Sequence, residues 1–237
     1  MTQNKKISII IPAYNEEKRV GDTLDKILAY KNEHELDLNV VVVDDGSTDS
    51  TVEIVKSKNI QVIQQIKNQG KGAAVRRGML EADGDIILFS DADLSTPIYE
   101  IEKLLPYFYD GYDICIGSRA LKDELIKEHQ PWYREFMGKT FNRIVQTLVL
   151  KGIQDTQCGF KAFTKESARK IFRKSRIDGF AFDVEALYLA SRYNFKVKEI
   201  PVEWYNDERS KVDPIKDSLK MLGEILKIRK IHKKKDK

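Results

Sequence analysis

The fold is decided by residues 7–49, which read ISIIIPAYNEEKRVGDTLDKILAYKNEHELDLNVVVVDDGSTD. Two almost continuous aliphatic runs, Ile7–Ile11 and Leu38–Val43, flank an amphipathic stretch, Lys18–Lys31. Aliphatic runs of this length are typical of parallel strands that are covered on both faces, and the stretch between them has helical spacing. The segment is therefore predicted to form a strand, a helix and a second, parallel strand.

The same alternation continues through the first half of the chain. The further predicted elements are, in order, a helix at Thr51–Lys56, a strand at Ile60–Gln64, a helix at Gly72–Ala82, a strand at Ile86–Ser90, a helix at Ile98–Tyr109 and a strand at Asp113–Gly117. This order predicts the α/β class, with a doubly wound, mostly parallel sheet and right-handed crossovers. Ligands bind such sheets at the carboxyl ends of the strands, so the loops that follow strands are the expected places for chemistry.

The second half of the chain reads as an elaboration of the first. A polar segment, 121–130, precedes a helix from Trp132 to about Leu150. The elements predicted after it are a strand at Cys158–Thr164, helices near Lys165–Arg173 and Asp183–Arg192, a strand near Val197–Val202 and a basic C-terminal helix. We therefore expect one domain over residues 1–212 and a basic amphipathic helix with its tail over residues 213–237.

The composition excludes several classes of protein. Of the 237 residues 41% are hydrophobic and 33% are charged, with 10 Phe and 10 Tyr, so the chain as a whole is not disordered, collagen-like or a coiled coil. Cys115 and Cys158 lack the spacing of a metal site or a disulfide framework, which predicts buried, reduced thiols. No apolar run approaches the roughly 18 residues of a membrane span, and no secretory leader is evident. A cytosolic or membrane-surface protein is expected.

Polar clusters follow the first two predicted strands. Tyr14 and Glu16 come directly after Pro12, where the first strand ends, and Asp44 and Asp45 end the second strand. Helix caps and turns are the simplest alternative for such clusters. A cap does not, however, explain a paired acid at the end of a very apolar strand.

The third cluster reads NQGKG over residues 68–72 and leads into a helix. It lacks the GxxxxGK spacing and the following Ser or Thr, so a P-loop is rejected. A helix N-terminus with Lys71, followed by Arg76 and Arg77 on the next turn, can still bind an anionic ligand.

The fourth cluster is the most informative, because a buried strand ends directly in Asp91-Ala92-Asp93. Alternate residues of an extended chain lie on the same side, so this spacing presents both carboxylates to one hard divalent cation. Oxygen ligands favour Mg²⁺ or Mn²⁺ over zinc. A surface turn is the alternative for an isolated D-x-D, but the paired acid Asp44-Asp45 at another strand end of the same predicted sheet favours a metal site.

With these residues the chain resembles the family 2 glycosyltransferases, which have the GT-A fold. The segments that carry the resemblance are IIIPAYNEE, VVVDDGSTD, NQGKGAAVRRG, LFSDADLSTP and IGSR, which occur in the family's order within residues 7–119. The second half is most similar to dolichyl- or polyprenyl-phosphate glucosyltransferases, through DTQCGFK (155–161), AFDVE (181–185) and Trp204 followed by Ser210-Lys211.

The resemblance implies a nucleotide-sugar donor. The residues that it implies for donor binding are Pro12, Tyr14, Glu16, Asp44, Lys71, Arg77, Asp91, Ala92, Arg209 and Lys211. Asp91, Asp93 and Ser95 would hold Mg²⁺ or Mn²⁺ on the donor's diphosphate. Arg209 and Lys211 match a loop that closes over the diphosphate and excludes water.

The resemblance also implies a polyprenyl or dolichyl phosphate acceptor, held by Arg119 and Arg134. A phosphate monoester is largely ionised at neutral pH, so it needs cations to position it and no base. A salt bridge for Arg119 and a solvated helix face for Arg134 are the alternatives. Asp183 is implied, with Asp93 and the two arginines, as a catalytic residue, although Asp183 and Glu185 also suit the first turn of a helix.

Two stretches point to a membrane surface. Residues 136–150 and 215–231 place apolar residues at helical spacing, the second among lysines, and residues 210–237 hold ten Lys or Arg against four acids. Packing on the core is the alternative, but a basic amphipathic helix also fits an anionic bilayer. No nucleic-acid-binding motif accompanies the tail, so no nucleic-acid partner is expected.

We interpret the sequence as an inverting, metal-dependent glycosyltransferase. On this interpretation, the enzyme transfers a hexose, namely glucose from UDP-glucose, to a polyprenyl or dolichyl phosphate. We expect it to be peripheral on the cytoplasmic face of a membrane. One alternative is transfer to a saccharide hydroxyl with Asp183 or Glu185 as base, and another is a non-catalytic nucleotide-binding module. GDP-mannose as donor, the lipid's length, the native metal, and a homo-oligomer or membrane-anchoring partner stay open.

Overall fold

The structure is a computed structural model that describes residues 5–122, 125–129, 131–150, 152–207 and 216–233, without the side chains of residues 133–135, 139 and 216–218. Its strands are β1 (Ile7–Ala13), β2 (Leu38–Asp44), β3 (Gln61–Gln64), β4 (Ile86–Ser90), β5 (Ile114–Ser118), β6 (Ile126–Glu128), β7 (Phe160–Thr164), β8 (Val197–Pro201) and β9 (Trp204–Tyr205). Seven of them form one sheet in the order β3-β2-β1-β4-β7-β5-β8. Only β7 runs antiparallel to its neighbours, so the predicted doubly wound, mostly parallel sheet is confirmed.

Helices cover both faces of the sheet. They are α1 (Val20–Glu33), α2 (Thr51–Ser57), α3 (Lys71–Glu81), α4 (Ile101–Tyr109), α5 (Trp132–Leu148), α6 (Lys165–Phe172), α7 (Phe182–Arg192) and α8 (Lys216–Ile231). In β1, Ile9 and Ile11 pack in the cluster that α1, α2 and α4 cover, whereas Ile10 packs in the cluster of the other helices. This alternation explains why strands covered on both faces are aliphatic at every position.

The antiparallel strand β7 brings a distant segment to the end of β4. Ser90 pairs with Phe160, and the backbone N–H of Asp91 donates to the carbonyl of Gly159 at 3.1 Å. A Cβ atom on Gly159 would lie 2.0 Å from Oδ2 of Asp91. Any side chain at position 159 would therefore displace the Asp91 carboxylate from its place.

Two features differ from the predicted elements. A small second sheet pairs β6, which lies in the segment expected to be polar, with β9, for which no strand was predicted, because runs of two and three residues carry too little pattern to predict a strand. The predicted helix from Ile98 begins instead with a 3₁₀ turn, Ile98–Glu100, before α4. The backbone N–H of Tyr205 in β9 donates to the carbonyl of Ser95 at 2.8 Å, which ties the small sheet to the loop after β4.

The C-terminal helix belongs partly to the core. α8 buries Met221, Ile225 and Ile228 in the same cluster as α5 and α7, and the expected boundary at 212/213 lies outside the described residues. Cys115 and Cys158 are buried and free, as predicted. Burial raises the pKa of the Cys115 thiol to about 12. Among the described residues no helix is both long and apolar enough to cross a membrane.

Candidate active site

A cavity of about 520 Å³ opens at the carboxyl ends of β1, β4 and β5. Its wall includes the loops after these strands and after β2 and β9, the loop before β7, the first turns of α3 and α7, and one side each of α5 and α8. Both the position and the volume are those expected of a ligand site in a doubly wound sheet.

Most of the residues implied by the sequence meet in this cavity. Those that line it are Pro12, Tyr14, Glu16, Lys71, Asp91, Ala92, Asp93, Ser95, Arg119 and Asp183. They come from five different strand ends or helix starts, which lie up to about 170 residues apart in the sequence, so the topology of the sheet is what brings them together.

The two adjacent acids at the end of β2, Asp44 and Asp45, have different surroundings. Asp44 is buried, accepts the backbone N–H of Ser47 at 3.2 Å and does not line the cavity, so its role in donor binding stays a prediction. Asp45 lines the cavity and accepts the backbone N–H groups of Gln69 and Gly70, each at 2.8 Å. Burial raises the pKa of the Asp45 carboxyl, although these two hydrogen bonds lower it in part. Asp45 is thus a rigidly held carboxyl that sequence reasoning noted only as the partner of Asp44.

Asp91 and Asp93 stand side by side with a cation against them. Nζ of Lys71 lies 2.6 Å from Oδ1 of Asp91, and the backbone N–H of Ser95 donates to Oδ1 of Asp93 at 3.0 Å. Burial raises the pKa of Asp93, and the charge of Asp91 raises it further. Burial lowers the pKa of Lys71, but Asp91 and Asp183 raise it by more. The basic side chain therefore stays charged beside the acids.

These acids fit a hard divalent cation. Two half-buried carboxylates that disfavour each other's charge are stabilised by a dication, and their ligand atoms are all oxygen. No group of three or more His, Cys, Asp and Glu that could hold a metal occurs in the described part of the chain. Oxygen atoms of the diphosphate and of water would therefore complete the coordination.

Sequence reasoning missed Arg19, which comes just before α1 and appeared only as part of an amphipathic stretch. Its guanidinium is paired with Glu16 through Nε and Nη2. Its Nη1 lies 3.8 Å from Oδ2 of Asp93 and 3.6 Å from Oδ2 of Asp207. Arg19 is therefore the common cation of three carboxylates on the cavity wall, and the pKa of its guanidinium is raised because these acids outweigh the effect of burial.

A buried ion pair lies behind the cavity wall. Lys161 of β7 is 1% exposed, and its Nζ donates to Oδ1 of Asp183 at 2.7 Å and to the carbonyl of Cys158 at 2.5 Å. Burial raises the pKa of Asp183, and Lys161 and Lys71 lower it in part. Lys161 ends the DTQCGFK segment that carries the resemblance, but sequence reasoning assigned it no role.

Glu185, the other candidate base, faces away from the cavity. Its carboxylate is fully buried and accepts the backbone N–H groups of Arg176 and Ile177, each at 2.9 Å. Nε2 of His232 lies 2.7 Å from its Oε1. Because these groups occupy the carboxylate, Glu185 serves to hold α7, the preceding loop and the end of α8 together.

Arg119 is salt-bridged and also lines the cavity. Its Nε and Nη2 donate to the two carboxylate oxygens of Asp155 at 2.7 and 2.9 Å, and its guanidinium carbon lies 5.5 Å from the ring centre of Trp204. Burial raises the pKa of Asp155, but the guanidinium lowers it by more, so the pair is ionised. The fork is thereby fixed, with Nη1 left for another anion.

Besides Asp44, four implied residues are not brought to the cavity by the described structure. Arg77 is bound instead to Glu81 Oε1 and to the carbonyl of Gln64, each at 2.9 Å. The backbone of Arg134 belongs to α5, but its side chain lies outside the described part. Arg209 and Lys211 also lie outside the described residues. Their roles in binding stay predictions.

The remaining wall of the cavity is largely apolar. Met137, Gly138 and Phe141 of α5 and Lys220 and Met221 of α8 contribute to it. The outer sides of the same two helices expose Trp132 (79%), Phe136 (66%), Leu219 (66%) and Leu226 (61%) to solvent. A polar site for a charged ligand and an exposed apolar surface therefore share two helices.

Known proteins resemble this chain over most of its length. The model of the family described as "Glycosyl transferase family 2" matches residues 8–172. A dolichyl-phosphate beta-glucosyltransferase of Dictyostelium discoideum is 38% identical, with 94% of this chain and 73% of that protein covered. The human protein of the same name is 37% identical over 95% of this chain and 75% of its own length.

A solved structure shows the same fold at low identity. The glucosyl-3-phosphoglycerate synthase of Mycobacterium tuberculosis, in complex with Mn²⁺, UDP and phosphoglyceric acid, superposes with a TM-score of 0.69 and 17% identity, over 94% of this chain and 75% of that chain. The family match, the identity to both relatives and the strand-end carboxylates lead to one conclusion. This chain is a glycosyltransferase and belongs to glycosyltransferase family 2.

Proposed function

We propose that the protein transfers glucose from UDP-glucose to a polyprenyl or dolichyl phosphate, with inversion at the anomeric carbon, at the cytoplasmic face of a membrane. The observation that carries the proposal is the composition of a single cavity. Buried carboxylates and cations line it where strands end, and two helices with exposed apolar side chains line it elsewhere. The names of the relatives, which are dolichyl-phosphate beta-glucosyltransferases, support the same acceptor.

The donor side fits a nucleoside diphosphate sugar. Asp91 and Asp93, with Ser95, would hold Mg²⁺ or Mn²⁺, which would neutralise charge on the departing nucleotide. Lys71, at the start of α3, adds a second positive charge beside these carboxylates. Tyr14, just after β1, is 40% exposed and lines the cavity, so it is proposed as part of the nucleoside site.

The acceptor side needs cations rather than a base. A lipid phosphate is ionised near neutral pH, so its oxygen is already a nucleophile. Arg119, whose fork is fixed by Asp155, is suited to hold that phosphate, and Arg134 is proposed as its partner. Attack from the face opposite the departing nucleotide gives a β-linked product from an α-linked donor.

The buried ion pair argues against Asp183 as a general base. Oδ1 of Asp183 already accepts the buried Lys161 ammonium at 2.7 Å and is therefore not placed to receive a proton from an acceptor hydroxyl. We assign Asp183 instead to holding a hydroxyl of the donor sugar, for which its free lone pairs and its place on the cavity wall suit it. Glu185 has no access to the cavity and is not proposed as a base.

The membrane surface is proposed as the place of reaction. The exposed apolar side chains of α5 and α8 lie on the helices that line the cavity, and α8 also carries Lys220, Lys227 and Lys230. Apolar side chains can enter the membrane interface while the lysine ammonium groups interact with anionic lipid headgroups. Each ammonium group near the surface contributes about 1 kcal/mol to the free energy of membrane binding. A water-insoluble acceptor then reaches the cavity without leaving the bilayer.

The experiment that tests this function measures transfer of radiolabelled sugar from UDP-glucose and, in parallel, from GDP-mannose into an organic-extractable product. The assay contains polyprenyl phosphate vesicles and Mg²⁺, and the controls are Asp93→Ala and Arg134→Ala. We expect label in lipid from UDP-glucose, lost in both variants. Label from GDP-mannose alone would overturn the donor assignment. Absence of lipid label from protein that still binds UDP would overturn the acceptor assignment.

A further inference from the structure

The loop before β7 fixes an arginine of the candidate active site. We call its residues 154–156 the clamp loop, and the central residue, Asp155, is 2% exposed. Oδ2 of Asp155 accepts the backbone N–H and Nε of Arg119 at 3.0 and 2.7 Å. Oδ1 accepts Nη2 of Arg119 at 2.9 Å and the backbone N–H of Gln157 at 3.0 Å. Because these hydrogen bonds occupy both oxygens, the position of Asp155 decides the position of the Arg119 guanidinium.

Glu199 of β8 holds the clamp loop against the sheet. Its Oε1 accepts the backbone N–H of Asp155 at 2.7 Å, and its Oε2 accepts that of Gln154 at 2.9 Å. Oε1 also accepts the hydroxyl of Ser118 at 2.7 Å. Ser118 is the last residue of β5 and directly precedes Arg119. One carboxylate therefore holds both chain segments that meet in the Arg119–Asp155 salt bridge.

Asn142 ties the clamp loop to α5. Its Nδ2 donates to the carbonyl of Gln154, and its Oδ1 accepts the hydroxyl of Thr156 at 3.0 Å. Thr156 is fully buried, so its hydroxyl depends on a protein partner. The backbone of Arg134, the proposed partner of Arg119, belongs to the same helix as Asn142. Asn142 therefore links the helix that carries one proposed phosphate ligand to the loop that fixes the other.

Loop closure alone does not explain this arrangement. Side chains commonly hydrogen-bond to the backbone of loops, and a charged residue on an edge strand such as β8 opposes aggregation. Neither role requires that bonds from a strand and from a helix converge on a loop whose central carboxylate is occupied by a cavity arginine. The convergence is explained if the orientation of that arginine matters.

An arginine that is held in place binds a phosphate more tightly than a mobile one, because it loses less side-chain freedom on binding. Neither Glu199 nor Asn142 lines the cavity, so both act through Asp155. We propose that Glu199 and Asn142 are positioning residues, which hold the clamp loop so that Arg119 meets the acceptor phosphate in one orientation. This inference rests on the proposed function, in which Arg119 holds a lipid phosphate.

The inference predicts a selective effect on the acceptor. The cavity residues proposed for donor binding follow β1 and β4 or begin α3, whereas the hydrogen bonds of Glu199 and Asn142 go to the clamp loop and to the end of β5. Loss of either positioning side chain should therefore weaken binding of the acceptor and leave binding of the donor unchanged. A residue that serves only the fold would affect both substrates alike.

The test measures the KM for polyprenyl phosphate and the KM for UDP-glucose in the transfer assay. Glu199→Gln keeps the shape of the side chain but supplies one acceptor oxygen instead of two, and Asn142→Leu keeps the size but removes the hydrogen bonds. We expect each variant to raise the KM for the lipid at least about tenfold and to leave the KM for UDP-glucose unchanged. The Kd of UDP, measured by calorimetry, should also stay unchanged.

Two control variants alter a hydrogen bond elsewhere. Glu102→Gln changes a carboxylate of α4 that accepts the hydroxyl of Tyr30 at 2.7 Å. Thr147→Val removes a hydroxyl of α5 that donates to the carbonyl of Arg143 at 2.8 Å. Both controls should keep the two KM values of the unchanged protein. A rise of the lipid KM in the controls that equals the rise in the test variants overturns the inference.

The outcomes separate the inference from the proposed function. Transfer to lipid by the unchanged protein, together with an unchanged lipid KM in a test variant, overturns the role of the substituted residue. An equal rise of both KM values also overturns it, because the residue then serves only the fold. Absence of lipid label from the unchanged protein would overturn the proposed function, and the inference with it.

A milder pair of variants applies if either test variant fails to fold. Thr156→Val removes the hydroxyl that Asn142 accepts, whereas Thr156→Ser keeps it. A higher lipid KM for Thr156→Val than for Thr156→Ser supports the inference. Equal values for the two overturn it.

Discussion

The two sides of the candidate active site are built differently. On the donor side, charged side chains are at least partly buried and lie in ion pairs, as Lys71 does with Asp91 and Lys161 with Asp183. On the acceptor side, α5 and α8 contribute apolar side chains to the cavity and expose others to solvent. A water-soluble, charged ligand needs preorganised charges, whereas a lipid ligand needs a surface that continues into the bilayer.

The largest expected effect concerns the buried pair of the donor side. Lys161→Met leaves the Asp183 carboxylate buried without its partner, so we expect the free energy of unfolding to fall by about 3–5 kcal/mol. The measurement is urea denaturation. Lys161→Met/Asp183→Leu, which removes both charges, should recover most of the loss. A single variant as stable as the unchanged protein would show that the donor side does not rely on paired charges.

The next effect is on turnover. Asp93→Ala removes one of the two carboxylates proposed to hold the metal, and we expect kcat to fall by about 10²–10³-fold, the range seen when one preorganised stabilising group is removed. Mg²⁺-dependent transfer of labelled glucose measures it, together with thermal unfolding to verify the fold. Unchanged turnover would exclude Asp93 from the metal site and would show that the donor side does not depend on this preorganised charge.

A pair of glycines tests how tightly each side is packed. Gly159→Ala would place a Cβ atom 2.0 Å from the Asp91 carboxylate, whereas a Cβ atom on Gly138 in α5 would meet nothing within 4 Å. We expect Gly159→Ala to lower kcat/KM by about 10–100-fold, the loss typical of a misplacement near 1 Å, and Gly138→Ala to leave it nearly unchanged. Equal losses in a kinetic assay would mean that the acceptor side is as rigid as the donor side.

The smallest effect concerns the exposed surface of the acceptor side. Leu226→Ser removes apolar surface from α8 and should weaken binding to phosphatidylglycerol-containing vesicles by about tenfold. Ile66→Ser is the matched control, because Ile66 is fully exposed in the loop after β3. Co-sedimentation measures both variants. The same loss in the two would show that the surface of α8 has no special part in attachment.

The donor side is also the part of the protein that sequence reasoning predicts best. Aliphatic runs define β1, β2 and β4, and the acids that follow them converge because parallel strands end at one edge. The sequence pattern could not predict which of Asp44 and Asp45 lines the cavity. That depends on which carboxylate accepts the backbone N–H groups of Gln69 and Gly70.

Long-range partners account for most of what the sequence did not predict. Arg19 contacts Asp207, and Lys161 contacts Asp183, across separations that no local pattern encodes. Glu185 shows that closeness in the sequence can also mislead. Its place two residues after Asp183 suggested a shared role, but a helix turns such neighbours to different sides, so one faces the cavity and the other the loop before α7.

The antiparallel strand β7 has a consequence for how the chain folds. β1 to β4 pair among themselves and are complete once residue 90 has been made, whereas β5 pairs only with β7 and β8, which come at least 42 residues later. During synthesis, the four strands β1 to β4 can therefore pair first. The edge of β4 stays unpaired until β7 has been made, and so does β5. A chain interrupted before residue 160 would present that edge to other chains, so the same strand that assembles the active site also protects the nascent protein from aggregation.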